Sequence, residues 1–198
     1  MTAVARTRAV RWLVAFALTA GYAFGSLGAV QQPKSPVNPK RVAPPEFLER
    51  VKGYMALHQK LEATLPKLPK EATPQQIDTD QRALARLITQ ARATAKQGDI
   101  FVPAMQMFSR DLLEDLFIIA DRKKLRDSVM DENPGPIKLT VNGRYPDTVP
   151  LATMPPEVLS SLPKLPDELE YRFVGDALIL LDAHAHIVAD FFQRVLPK

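Results

Sequence analysis

The sequence predicts an α+β protein in which a three-helix antiparallel unit is followed by a small antiparallel β-sheet arranged as a meander. Two observations support this fold class. Between residues 46 and 127, apolar side chains recur at steps of three and four, the period of an amphipathic helix. Within residues 134–198 the period changes to two, the alternation of a half-buried strand. Because so small a sheet is unstable alone, we expect it to pack on the helices.

The first thirty residues are predicted to be a signal peptide. Arg6, Arg8 and Arg11 precede an uncharged stretch from Trp12 to Val30. Its most apolar part, WLVAFALTAGYAF, is short for a bilayer span and typical of a signal peptide, and the small residues after it predict cleavage near residues 28–30. The alternative is an uncleaved anchor, with residues 12–30 spanning the inner membrane. The predicted location is therefore periplasmic or secreted, or else anchored to the inner membrane.

This leader changes the meaning of the net charge. The chain has 26 Lys and Arg against 22 Asp and Glu, a formal charge of +4. Removing the three leader arginines leaves 23 cations against 22 acids, a charge of +1. The basic balance is thus largely a targeting feature, and no nucleic-acid partner is expected. The chain has no cysteine, which excludes disulfides, thiolate metal sites and a cysteine nucleophile.

Residues 31–45, QQPKSPVNPKRVAPP, predict an extended basic linker, because five prolines and three cations are present without an apolar period. Contact with the membrane is expected only through the N-terminal segment, if it stays uncleaved.

Three helices are predicted from residue 46 to residue 127. The expected apolar stripe of the first helix is Phe47, Val51, Tyr54, His58, Leu61 and Leu65. That of the second is Ile77, Leu84, Ile88, Ala91 and Ala95, and that of the third is Met105, Phe108, Leu112, Leu116 and Ile119. Thr73-Pro74-Gln75-Gln76 predicts a capped start for the second helix, and Gly98 its stop. The third helix is expected to fade into the charged segment 121–127.

The region 134–198 is predicted to be antiparallel β-structure. Ile137, Leu139 and Val141 alternate with polar residues and lead into Asn142-Gly143, a strong hairpin signal. A short helix is expected over residues 155–161. Further strands are expected around residues 169–173, 177–182 and 187–192, with turns at 175–176 and 183–186.

Two strings resemble a group of uncharacterised exported bacterial proteins. They are ARATAKQGDIF at residues 91–101, with Pro103 shortly after, and LPKLPDELEYRFVGDALILLDAHAHIVADFF at residues 162–192. The second string is also similar to a C-terminal hairpin of the nickel/cobalt-homeostasis periplasmic family. The matching positions are Tyr171, Val174, Leu180, Leu181, Asp182, Ile187, Val188 and Asp190. The turn differs at Ala185 and His186, and the helical region has no counterpart in that family. The resemblance implies compartment and hairpin geometry, and no function.

Asp182, His184 and His186 form the candidate metal site. In an extended backbone, alternate side chains face one side, so these three could converge on a Zn, Ni or Cu ion, with Asp190 assisting from the next strand. The competing interpretation is that they are polar residues of a hairpin turn, which would break the alternation.

The remaining polar residues give no catalytic motif. His58 lies on an apolar stripe, where a buried neutral histidine with one hydrogen bond is expected. Arg82, Arg86, Arg92 and Lys96 either bind phosphate or an acidic partner, or form a solvated face paired with acids of the third helix.

The leading functional prediction is an exported envelope protein that binds another envelope protein, through a helix surface or a sheet edge, without catalysis and without a cofactor. The alternative is a periplasmic metal-binding protein that uses Asp182, His184 and His186. An enzyme of unrecognised type stays open.

Overall fold

The computed structural model describes residues 42–119, 122–131, 133 and 137–197. The predicted leader and most of the linker lie outside these residues. The described helices are α1 Pro45–Glu62, α2 Pro74–Ala91, α3 Pro103–Ile119, α4 Arg122–Met130 and α5 Pro156–Ser161. The strands are β1 Leu169–Val174, β2 Ala177–Asp182 and β3 Ile187–Phe192. The α+β prediction is confirmed. Among the described helices, none has the length and apolar character to cross a membrane.

Helix α1 follows its predicted stripe closely. Phe47, Val51, Tyr54 and His58 are all buried, and the helix begins with Pro45 in its first turn, where a missing N–H costs no helical hydrogen bond. Leu65 lies three residues past the end of the helix at Glu62. The stripe therefore predicted the buried face of the helix correctly and overestimated its length.

Helix α2 begins as predicted and ends early. The Thr73 hydroxyl accepts a hydrogen bond from the Gln76 N–H, and the Gln76 side chain accepts one from the Thr73 N–H, which completes a capping box. The helix ends at Ala91, so the prediction that Gly98 stops it is wrong. Gly98 has a φ of +90° in the following loop, where its N–H donates to the Asp190 carboxylate at 2.9 Å.

Helix α3 buries Met105, Leu112 and Leu116 as predicted, whereas Ile119 is 52% exposed. The charged segment expected to end this helix instead forms much of α4. Leu125 and Val129 of α4 are buried in the same apolar cluster as α3. A stripe of only two apolar residues was too sparse to stand out in so charged a segment.

The three strands form an antiparallel sheet in the order β1-β2-β3. Tyr171 pairs with Leu180 in the first ladder, and the second ladder contains an irregularity between Leu180 and Leu181. One face of the sheet packs on the helices. Its buried side chains are Leu169, Tyr171, Phe173, Leu178, Leu180, Ile187, Ala189 and Phe192. Since one cluster joins these side chains to α1, α2, α3 and α4, the helices and the sheet share a core.

The opposite face of the sheet is covered by residues 137–151. Ile137, Leu139 and Val141 are half-buried and pack against it, and Tyr145 is buried there. The alternation in burial was predicted correctly, but the strand was not, because residues 137–141 form no ladder. The isolated bridge of this segment joins Arg144 to Ile187. The Asn142 N–H also donates to the Val188 carbonyl at 2.7 Å, so the segment covers the β3 edge as well.

Candidate functional site

The C-terminal end of β2 holds a fully buried carboxylate, Asp182. Its Oδ2 accepts a hydrogen bond from the Tyr54 hydroxyl at 2.6 Å and one from His58 Nδ1 at 2.7 Å. Its Oδ1 accepts from the Ala185 N–H at 2.8 Å, inside the β2–β3 turn. Tyr54 and His58 are four residues apart on α1, so their side chains lie one above the other on the buried face of the helix. The three bonds fix α1 against the end of the sheet.

His58 is the central residue of this cluster. Its side chain is fully buried, and its second ring nitrogen, Nε2, has no hydrogen-bond partner in the described part of the chain. The Glu62 carboxylate, one turn further along α1, approaches Nε2 to 3.6 Å. Burial alone lowers the pKa of His58, but the hydrogen bond and charge of Asp182, followed by the charge of Glu62, outweigh it and raise the pKa above its usual value.

Burial, followed by the charge of Asp182, raises the pKa of Tyr54 well above its usual value. Its hydroxyl therefore stays protonated and acts only as a donor to the carboxylate. Arg92 lies over the Tyr54 ring, with its guanidinium carbon 4.9 Å from the ring centroid. The Arg92 side chain also donates to the Asn142 amide oxygen and to the Ala189 carbonyl. Arg92 was predicted to lie on a solvated face of the second helix, but its side chain instead donates hydrogen bonds to other parts of the fold.

His184 reaches the same cluster from the β2–β3 turn. Its Nδ1 lies 3.1 Å from Glu62 Oε1, and its ring centroid is 5.7 Å from that of His58. One potential ligand atom each from His58, Glu62 and His184 lies within 4.8 Å of the other two. The turn residue therefore lies close to two helix residues that precede it by more than 120 positions in the sequence.

The structure does not gather the predicted ligand set in this way. Of Asp182, His184 and His186, only His184 belongs to the described group whose ligand atoms lie within 4.8 Å of one another. His186 has a φ of +53°, so the turn breaks the alternation that the prediction required. Its Nε2 lies 3.5 Å from Asp147 Oδ1. Burial, followed by the charge of Arg144, lowers the pKa of His186 below its usual value. Metal binding by the predicted set stays a prediction.

His58 and Glu62 were not predicted to lie beside His184, because their relation to the turn depends on the tertiary fold. One signal was present in the sequence. A histidine and a glutamate four residues apart face the same side of a helix, which is the spacing of a two-ligand metal site. His58 was instead predicted to be a buried neutral histidine with one hydrogen bond. Its burial and its hydrogen bond are found, whereas its raised pKa favours the charged form more than the prediction assumed.

Asp190, expected to assist a metal, binds backbone groups. Its fully buried carboxylate accepts hydrogen bonds from the N–H groups of Gly98, Ile100, Phe101 and Phe191 at 2.7–2.9 Å. The GDIF segment before α3 is therefore wrapped around this carboxylate. This contact also gives a structural reason for the left-handed backbone of Gly98.

An open groove of about 560 Å³ lies between β1 and the segment that contains α5. Its main apolar lining residues are Met154, Leu159, Leu162, Leu165, Leu169 and Tyr171. Lys164, Asp167, Glu170 and Arg172 add charges of both signs. Leu159 is 51% exposed, so an apolar side chain stands at the groove in contact with water.

The fold and these sites define a small α+β protein with an apolar groove beside β1 and a buried histidine–carboxylate cluster at the end of β2. The chain matches no known protein family, no curated protein and no solved structure. The resemblance to exported bacterial proteins therefore stays a prediction.

Proposed function

We propose that the protein is an exported envelope protein that acts by binding another envelope protein, not by catalysis. The observation that supports this proposal is the groove beside β1. It has an apolar lining with a few charged groups, and its volume of about 560 Å³ leaves room for an apolar side chain of a partner protein. The β3 edge, by contrast, is already covered by residues 142–145.

The proposed occupant is a short extended segment of a partner protein that carries an apolar side chain. Leu159, which is exposed, and Leu165, which is half-buried, offer aliphatic surface to such a side chain. Lys164 and Asp167 also line the groove, so a charged group of either sign on the partner can find an opposite charge there. Burial of aliphatic surface would supply most of the affinity, at roughly 25 cal/mol per Å² removed from water.

Site-specific photo-crosslinking in intact cells tests this proposal. A crosslinking residue at position 159 is expected to give one discrete protein adduct. Adding Leu165→Glu should abolish the adduct, because a carboxylate would then be buried in the apolar contact. Position 77 on α2 is the matched control, since Ile77 is an exposed aliphatic residue (42% exposed) outside the groove lining. The same adducts at both positions, an adduct of lipid mass, or no adduct would contradict the proposal.

Metal binding is a second candidate function, and one observation favours it. The buried Nε2 of His58 has no hydrogen-bond partner among the described residues, while Glu62 and His184 face it from the solvent side. This arrangement is independent of the groove, so either function can hold without the other.

A further inference from the structure

We propose that His58, Glu62 and His184 form a binding site for a divalent transition-metal ion, with His58 Nε2, a Glu62 carboxylate oxygen and a ring nitrogen of His184 as the protein ligands. This set differs from the one that the sequence predicts. It shares His184, adds two residues of α1, and moves Asp182 from the ligands to a supporting position.

The strongest evidence is the state of His58. A buried nitrogen without a partner costs free energy, and such groups are rare in folded proteins. Nε2 of His58 is such a nitrogen in the described part of the chain, and so is Nε2 of His186, but of these two histidines only His58 belongs to a described group of three potential ligands. A metal ion bound there would provide the missing partner, because a neutral imidazole nitrogen is a common metal ligand.

Asp182 prepares His58 for this role. Because the carboxylate accepts a hydrogen bond from His58 Nδ1 at 2.7 Å, the proton of a neutral ring resides on Nδ1 and the lone pair on Nε2. The carboxylate–histidine pair is the usual support of a metal-bound imidazole. Asp182 is itself held by the Tyr54 hydroxyl and the Ala185 N–H, so the orientation of the ring is set before an ion arrives.

The distance between His58 and Glu62 fits a shared metal ion better than it fits a hydrogen bond between the two residues. Two ligand atoms that each lie about 2.0–2.1 Å from a tetrahedral ion are separated by roughly 3.3 Å. His58 Nε2 and Glu62 Oε2 are 3.6 Å apart, which is long for a hydrogen bond and within a few tenths of an ångström of this value. The 3.1 Å contact between His184 Nδ1 and Glu62 Oε1 would be exchanged for two bonds to the metal.

The chemistry of the donors indicates the class of ion. Two imidazoles and one carboxylate suit Zn²⁺, Ni²⁺ or Cu²⁺, whereas Mg²⁺ and Ca²⁺ prefer oxygen ligands alone. Glu62 and His184 are 39% and 50% exposed, so the ion can enter from solvent and keep a water molecule as a further ligand. Once bound, it would link the last turn of α1 to the β2–β3 turn.

Isothermal titration of the purified, metal-stripped protein with Zn²⁺ tests the proposal. One equivalent is expected to bind, and Co²⁺ in its place should give the intense visible absorption of a tetrahedral site with nitrogen and oxygen ligands. His184→Asn and Glu62→Gln should each weaken Zn²⁺ binding by at least about 10–100-fold, the loss typical of changes even to supporting residues. Both side chains are substantially exposed, so these variants are expected to fold, which circular dichroism can check.

His186→Asn is the matched control. It removes the other histidine of the same turn, and asparagine tolerates the positive φ at this position. Binding equal to that of the unmodified protein is expected. The proposal is overturned if the unmodified protein binds no stoichiometric Zn²⁺, or if Glu62→Gln binds as tightly as the unmodified protein. It is also overturned if His186→Asn loses as much affinity as His184→Asn, a result that would favour the set with Asp182.

Discussion

At the scale of single residues, Asp190 is predicted to be among the largest individual contributors to stability. Its carboxylate accepts four backbone hydrogen bonds in a fully buried place. Asp190→Asn would turn an NH₂ group toward backbone N–H donors and leave some of them unpaired. We expect a loss of about 3–5 kcal/mol in the free energy of unfolding, measured by denaturant titration.

Asp176→Asn is the control for this variant. Asp176 is an exposed acid in the β1–β2 turn, so its change to asparagine should alter the free energy of unfolding by no more than about 0.5 kcal/mol. One ordinary hydrogen bond contributes about 1 kcal/mol to stability. If the free energy of unfolding of Asp190→Asn lies within about 1 kcal/mol of that of the unmodified protein, the carboxylate does not stabilise the loop in the way proposed.

Residue types and helical spacing were enough to predict that His58 would be buried with one hydrogen bond. They could not predict which residue would bind it, because Asp182 lies 124 positions away. The same limit applies to Asp190 and Gly98, 92 positions apart. Asp182, at the end of β2, and the turn residues His184 and His186 were predicted to be the candidate metal site, and His184 does lie close to His58 and Glu62. His186 lies in the turn 183–186, which the sequence predicted as the competing interpretation, whereas its left-handed φ of +53° was not predicted.

At the scale of helices and loops, two glycines predict opposite effects of the same substitution. Gly53 is exposed within α1, and an added Cβ would meet no atom within 4 Å. Gly53→Ala should therefore stabilise the protein by about 1 kcal/mol, the difference in helix propensity. Gly98 has a φ of +90°, and its Cβ would lie 3.4 Å from the Gln106 side chain. Gly98→Ala should cost about 1–2 kcal/mol, because the left-handed backbone is strained for alanine.

Thermal unfolding of both variants beside the unmodified protein measures this contrast, with a rise in Tm expected for Gly53→Ala and a fall for Gly98→Ala. Equal shifts in the same direction would contradict the interpretation. The Gly98 variant also tests the role assigned to this residue. Gly98 lies beyond the end of α2, so if its left-handed backbone did not matter, alanine at position 98 would leave the Tm unchanged.

The elements themselves were predicted unevenly, and the reason is physical. Helices α1 and α3 have dense apolar stripes, and α2 has a complete capping box, so local sequence specifies them. Residues 137–141 show the alternation of a strand but pair with no neighbour over that stretch. Alternation of apolar and polar residues predicts which side chains are buried. It does not predict that the segment forms backbone hydrogen bonds with a neighbouring strand, since an extended segment can cover the face of a sheet without pairing with it.

At the scale of the whole molecule, burial on both sides of the sheet accounts for the apolar character of β2 and β3. Every residue of both strands is buried, including the run ALILLD. The helices cover one face, as predicted from the instability of a lone small sheet. The second cover, residues 137–151 around Tyr145, was not predicted. A strand buried on both faces shows a continuous apolar run, so ALILLD already indicated a second layer.

Export is the last prediction, and it concerns the whole chain. A bacterial cell that makes the protein with a C-terminal tag should release a mature form that begins near residues 28–30, as measured by intact mass. The double variant Val14→Arg with Phe16→Arg should keep Met1 and stay in the cytosol, because two charges break the apolar run that a signal peptide requires. Val14→Leu with Phe16→Leu preserves the run and should be processed normally. Unmodified protein that keeps Met1 in the membrane fraction would favour the anchor formed by residues 12–30. Recovery of that full-length protein from the cytosol would contradict both forms of the prediction, and with them the charge of +1 and the envelope partner.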